Sequence, residues 1–199
     1  MKRYQRNDQP YYIFDQKDLD TAYAAHKDGS KKMNLWHVTC KGLDFSGKDL
    51  SGAALAHAYL QDCNFTGAKL DNVDFSRSNL KGSTIKDTEM NHCNLYGSRL
   101  PDATVENVKI DGTNLCYTDL SNAKWVRNVE VKNGRAMGMQ MTEKQTKGLT
   151  FDKSVQDAPT QFVDPTIDKK QLEADLKAAR SAAVEKPAAK TKAKKAQRA

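Results

Sequence analysis

Residues 63–82 read CNFTGAKLDNVDFSRSNLKG, and within them Phe65, Leu70, Phe75 and Leu80 recur at every fifth position. Neither regular backbone explains that interval. An α-helix advances about 100° per residue, so a step of five smears the apolar residues around the whole cylinder. In a strand, an odd step throws successive side chains onto opposite faces. What fits is a chain that turns a corner every five residues, sends the same position inward each time, and stacks each coil on the one before.

The interval runs far beyond that stretch. From Leu35 to Trp125 there are 19 positions whose number is a multiple of five, and 16 of them are Leu, Ile, Val or Phe. The exceptions, Cys40, Met90 and Trp125, can all be buried. These four apolar types number only 35 in 199 residues, a content that in a charged chain ordinarily marks disorder; their placement overrides the composition. Two residues before each centre the side chains are small, as at Ala53, Ala58, Cys63, Ala68, Ser78, Ser83, Cys93 and Ser98, and able to point inward beside it. Directly before the centre come Asp44, Asp49, Asn64, Asp74, Asn79, Asn94, Asn114 and Asp119; two after it come Gly47, Gly52, Gly67, Gly82, Gly97 and Gly112. Gly, Asn and Asp tolerate tight turns and satisfy local backbone groups.

Ala68-Lys69-Leu70, Cys93-Asn94-Leu95 and Thr118-Asp119-Leu120 resemble the loose A(D/N)Lxx motif of the pentapeptide-repeat family, and the resemblance covers residues 33–127 in one phase. It implies an all-β solenoid, a right-handed quadrilateral β-helix with four pentapeptides per coil. On that geometry the repeats make nearly five coils and, at about 4.8 Å per coil, a rod about 23 Å long. Phe65, Leu70, Phe75 and Leu80 are then the inward side chains of one coil's four sides. Residues 20 apart stack, as in the column Leu60, Leu80, Leu100 and Leu120. Outside, Asp49, Lys69, Glu89 and Lys109 make a column of alternating sign, which favours the stacking by about 0–1 kcal/mol per exposed pair.

A stacked coil leaves unpaired backbone at both ends, so caps are expected. Residues 1–32 read as a short N-terminal α/β cap: a strand at Tyr11-Tyr12-Ile13-Phe14, then a helix from Asp15 to Gly29 with Leu19, Ala22, Tyr23 and His26 as its apolar stripe. At 128–141, Asn133-Gly134 lies between Val129-Glu130-Val131 and the alternating Met137, Met139 and Met141, the pattern of a capping hairpin. The methionines are expected to pack on the solenoid end rather than bind a soft metal. Residues 142–167, punctuated by Pro159 and Pro165, are expected to form an extended arm. A C-terminal helix over 168–184 follows, with Asp168 as cap and Leu172, Leu176 and Ala179 as a thin stripe.

The net charge of +7 is uneven: residues 33–127 hold ten Lys and Arg against eleven Asp and Glu, whereas 185–199 hold six against one. This last run, ending KPAAKTKAKKAQRA, is low-complexity and is expected to be a disordered basic tail. Its Lys190, Lys192, Lys194, Lys195 and Arg198 suit weak, salt-dependent contact with a polyanion such as nucleic acid, or simple solvation of the chain. No stretch approaches a membrane span, and MKRYQRNDQP lacks the hydrophobic segment of a secretory signal, so a cytoplasmic location is expected.

Nothing in the pattern points to an enzyme or to a cofactor. His26, His37, His57 and His92 share no metal-ligand spacing, and Cys40, Cys63, Cys93 and Cys116 fall on different sides of the coil. Walker, GxSxG and HExxH motifs are absent. The outward aromatics say more. Folded modulo 20, Trp36, Tyr59, Tyr96 and Tyr117 fall along one corner of the coil, together with His37, His57, Arg77 and Arg99. Trp, Tyr and Arg dominate binding hot spots. The ridge Trp36, His57, Tyr59, Arg77, Tyr96, Arg99 and Tyr117 is therefore the candidate partner surface, unless a cap or the arm covers it. The expected function is a non-catalytic interaction scaffold for another protein, alone or within a larger assembly such as a virus particle. The family resemblance implies an alternative, a DNA-mimicking modulator of a type II topoisomerase such as gyrase. The near-neutral solenoid departs from that alternative, because duplex mimicry needs a negative field.

Overall fold

The structure, a computed structural model, describes residues 2–6 and 9–156, with side chains from Tyr12 onward. The helix expected at 168–184, the outer part of the arm and the basic run 185–199 lie outside the described residues. The chain forms β1 (Lys2–Arg6), β2 (Gln9–Phe14), α1 (Gln16–Lys27), β3 (Val38–Lys41), β4 (Tyr59–Gln61), β5 (Thr84–Asn91), β6 (Thr104–Asp111), β7 (Trp125–Lys132), α2 (Glu143–Thr146) and β8 (Leu149–Phe151). Apart from the antiparallel pair β1–β2, every ladder is parallel: β2–β3–β4 in one sheet and β5–β6–β7–β8 in the other.

Single bridges between these strands complete the solenoid. Asn34, Ala54, Asp74, Asn94, Asn114, Arg135 and Gln156 form one continuous parallel ladder, which closes six turns. The five-residue corners arise from local bonding. In a typical one, Lys48 N–H donates to Phe45 O at 3.2 Å with Gly47 at φ 62°, the left-handed third position of a type II turn. Where an Asp or Asn precedes the centre, it locks that corner: Asp44, Asp49, Asn64, Asp74, Asn79, Asn94, Asn114 and Asp119 each accept from the backbone N–H two residues on. The bonds from Ser46 and Ser51 hold the carboxyls of Asp44 and Asp49 below the usual carboxylate range.

The centres fill the interior. Leu60, Leu80, Leu100 and Leu120 are buried in one column, while Phe45 stacks on Phe65 at 4.7 Å and Phe65 meets Phe75 edge-on at 5.8 Å. The small residues two before the centre also point inward and reach back a coil: Thr88, Thr113 and Thr118 donate to the carbonyls of Phe65, Met90 and Leu95 at 2.9–3.1 Å. In the outer charge column, Lys69 reaches Asp49 at 3.6 Å and Lys109 reaches Glu89 at 3.3 Å. All four cysteines are buried, and burial pushes the Cys63 thiol up to about 11 and that of Cys93 up to about 12. Thiol labelling with a disulfide reagent at pH 8 is accordingly expected to be negligible in the native protein. It should become complete for all four cysteines in urea; rapid labelling without denaturant would contradict the inward placement.

The N-terminal cap contains the expected helix and, in β2, the expected strand at Tyr11–Phe14; the antiparallel partner β1 is what the sequence did not suggest. Asp15 caps α1 in a capping box with Asp18, Leu19 is fully buried, and His26 Nδ1 accepts the Met33 N–H at 3.2 Å. Gln16 and Tyr23 bond the backbone of Asp44 and Asp49, which lays α1 along the side of residues 44–49.

Two expectations fail beyond residue 120. Trp125 is not a centre: Thr104 pairs with Trp125 across 21 residues, and the N–H groups of Lys124 and Trp125 both donate to Ala103 O, at 2.8 and 3.3 Å. One extra residue bulges there, Trp125 turns outward, and Val126 takes the inward place. The second correction follows from it. Residues 128–141 form no hairpin and residues 142–156 no arm, because the coil resumes in a phase shifted by one. Val126, Val131, Ala136 and Met141 are its buried centres, and Met139 points inward beside Met141. Asn133, at φ 49°, is a corner of this coil and not the tip of a hairpin.

Candidate partner-binding ridge and basic cleft

Apart from the one at the bulge after Leu120, the corners from His37 to Gly138 each use one residue with positive φ, and corners about twenty residues apart form four columns. Three of these columns use the residues that tolerate it: among Gly42 to Asp102, Gly47 to Asn128 and Gly52 to Asn133, all positive-φ positions are Gly, Asn or Asp except His92. The fourth column differs. It holds His37, His57, Arg77 and Tyr117 at φ 54–61°, interrupted only by Gly97 and Gly138. A bulky L-residue in that region carries about 1–2 kcal/mol of strain that glycine avoids. The fold therefore concentrates unfavourable backbone at a corner that displays rings and cations.

The ridge residues gather there in two groups. Trp36 stacks on His37 at 4.9 Å and meets the His57 ring edge-on at 6.2 Å, while His37 and His57 lie 6.0 Å apart. Farther along, Tyr96 and Tyr117 meet edge-on at 5.5 Å, and the Arg77 guanidinium stands 6.0 Å over the Tyr96 ring. Tyr59 and Arg99 occupy the adjoining column, two coils apart with Asn79 between them, and Arg99 reaches Asp119 at 4.0 Å. Trp36, Tyr59, Tyr96 and Tyr117 remain 37–57% exposed, and α1 lies on another side of the coil. Met137, 41% exposed and one coil from Cys116, extends the ridge and was missed in the sequence. Its shifted phase hid it. The tail residues Lys190, Lys192, Lys194, Lys195 and Arg198 lie outside the described residues.

The bulge creates a second feature. Lys124, Trp125 and Arg127 on one wall, with Lys144, Lys147 and Gly148 on the other, line a cleft of about 280 Å³. The Arg127 guanidinium lies 4.2 Å from the centre of the Trp125 ring and the Lys144 ammonium 5.2 Å. Among the described residues there is no cluster of three or more His, Cys, Asp or Glu that could hold a metal, and no helix long and apolar enough to cross a membrane.

A family model described as "Pentapeptide repeat region" matches residues 38–115, and the ladders place those residues in the six-turn coil. The chain carries a pentapeptide-repeat region at residues 38–115. No curated protein matches it. Solved pentapeptide-repeat structures do. HetL, involved in heterocyst differentiation regulation in the cyanobacterium Nostoc sp. strain PCC 7120, is 17% identical, with a TM-score of 0.46 over 68% of each chain. Rfr23 from the cyanobacterium Cyanothece 51142 is 16% identical, with a TM-score of 0.35 over 69% of this chain and 98% of its own. QnrB1, a plasmid-mediated fluoroquinolone resistance protein, is 15% identical, with a TM-score of 0.35 over 85% and 96%.

Proposed function

We propose that this protein is a non-catalytic scaffold that docks another protein along the ridge Trp36, His57, Tyr59, Arg77, Tyr96, Arg99 and Tyr117. The observation that carries the reading is the corner column with left-handed His37, His57, Arg77 and Tyr117, where strain is concentrated under exposed rings. A rigid rod presents such a ridge with little ordering cost on binding. The topoisomerase alternative lacks the corresponding support. Lys69 stands beside Asp49 and Lys86 beside Glu106, and residues 33–127 are near neutral, whereas duplex mimicry depends on a negative field.

The test has two parts. His57→Gly is expected to leave stability unchanged or raise it by up to about 1 kcal/mol, since relief of left-handed strain offsets the added chain entropy; a loss above that would mean the ring is a structural element. Affinity capture from the native source should then yield a protein retained by the full chain and lost with the Trp36→Ala, Tyr96→Ala, Tyr117→Ala variant at an unchanged melting temperature. Identical capture by both would end the ridge reading. Inhibition of gyrase supercoiling at low protein concentration would favour the alternative.

A further inference from the structure

Elsewhere on the coil, many cations are matched by carboxylates. Lys48, Lys69, Lys81, Lys86, Arg99, Lys109 and Lys132 all stand within 4.0 Å of an Asp or Glu. The cleft beside the bulge is different. Lys124, Arg127, Lys144 and Lys147 line it without any carboxylate in its walls, and none of the four makes an ion pair among the described residues. Glu106, the register partner of Arg127 on β6, turns to Lys86 at 3.3 Å instead.

The remaining polar side chains of the walls are already engaged. Asn128 donates to Asn107 at 3.0 Å, and the Gln145 amide donates to Ser121 O and Ala123 O. What the cleft offers a ligand is thus a set of four cationic donors beside an indole that is 41% exposed. Its complement accepts hydrogen bonds only and carries several negative charges in a small volume. A cleft of about 280 Å³ lies at the lower edge of small-molecule sites, which run from about 300 Å³, and is small for a protein segment. Phosphate oxygens suit Lys and Arg donors better than single carboxylates do, since each group brings more charge and more acceptors.

We propose that this cleft binds a ligand bearing linked phosphates. The site begins about a quarter of a coil from the ridge in register, since Trp125 pairs with Thr104, five residues after Arg99, and it does not depend on the ridge. Both free inorganic polyphosphate and a nucleoside triphosphate carry that chemistry. Trp125 separates them, because an indole offers a stacking surface to a base and nothing comparable to a bare phosphate chain.

The experiment is calorimetric titration of the full chain with sodium tripolyphosphate, with ATP and with an oligoglutamate peptide. Tripolyphosphate and ATP should both bind, more weakly as salt rises. Lys124→Gln combined with Lys144→Gln should lower both affinities at least about tenfold, the scale of one lost charged hydrogen bond. Lys69→Gln with Lys109→Gln should leave them unchanged. Trp125→Leu weakening ATP alone identifies a nucleotide; an equal effect on both, or none, identifies the phosphate chain. Should the double variant lose its parental melting temperature, Lys147→Gln carries the same comparison at the rim. The proposal is overturned if neither phosphate binds, if oligoglutamate binds as tightly, or if binding survives the cleft substitutions and disappears on removal of residues 185–199.

Discussion

Leu80→Lys is expected to abolish the folded state, and Leu80→Ala to remove about 2–5 kcal/mol of stability. Leu80 is fully buried, with Leu60 one coil before it and Leu100 one coil after. In a solenoid each coil packs only on its neighbours, so no third layer can move in to fill the hole. The lysine also has nowhere to place its charge: the nearest wall is the inner face of the coil, where small side chains such as Ser78 and Ser83 flank the column. An unpaired buried ammonium costs several kcal/mol, a large part of the 5–15 kcal/mol that holds a domain together. Urea unfolding followed by circular dichroism measures both variants. The exposed neighbour Lys81→Ala, which gives up only a pair at 4.0 Å to Asp102, should stay within about 0.5 kcal/mol of the parent. A Leu80→Lys protein that unfolds at the parental urea concentration would contradict the stacked-column interior.

The coil was legible in the sequence because its signal is redundant. Sixteen apolar centres share one phase, and many corners repeat small, acidic or amide, and glycine neighbours. Legibility ended at the bulge, where a single inserted residue is invisible to a count of fives. Trp125 falls on a multiple of five and is large and apolar, so it passed for a centre, although Lys124 and Trp125 share one acceptor in Ala103. Beyond it, the alternating Met137, Met139 and Met141 fit a strand with period two as well as a coil in which Met139 and Met141 both point inward. Asn133-Gly134 added a hairpin signal that the parallel partners of β7 override. The shifted centres Val126, Val131, Ala136 and Met141 were readable only with a change of phase. The ridge was half legible. Periodicity shows which rings point outward, whereas the strained corner under them emerges only from the backbone angles of His37, His57, Arg77 and Tyr117.

Gly148→Ala is expected to destabilise the last turn by about 1–3 kcal/mol, the range for forcing extra volume into a packed site. A Cβ on Gly148 would overlap the Val126 carbonyl oxygen and stand 2.6 Å from its carbon and 2.9 Å from the Arg127 Cα. These are backbone atoms of β7 and cannot swing away as a side chain would. Gly148 also holds the turn in place: its N–H donates to Gln145 O at 3.1 Å and its O accepts from Val129 N–H at 2.9 Å. A methyl group there pushes α2 and β8 off β7 together, exposing the ladder that β8 covers and withdrawing the Gln145 amide from Ser121 O and Ala123 O. Because Lys144 and Lys147 ride on the displaced segment while Trp125 and Arg127 stay with β7, the same substitution should open the cleft and weaken tripolyphosphate binding. Amide exchange is the direct measurement. Protection at Val129 and Val131 should fall in Gly148→Ala while that of Phe65 and Leu80 is kept, whereas uniform protection across both regions would show that the close approach of Gly148 to β7 does not hold the end of the solenoid.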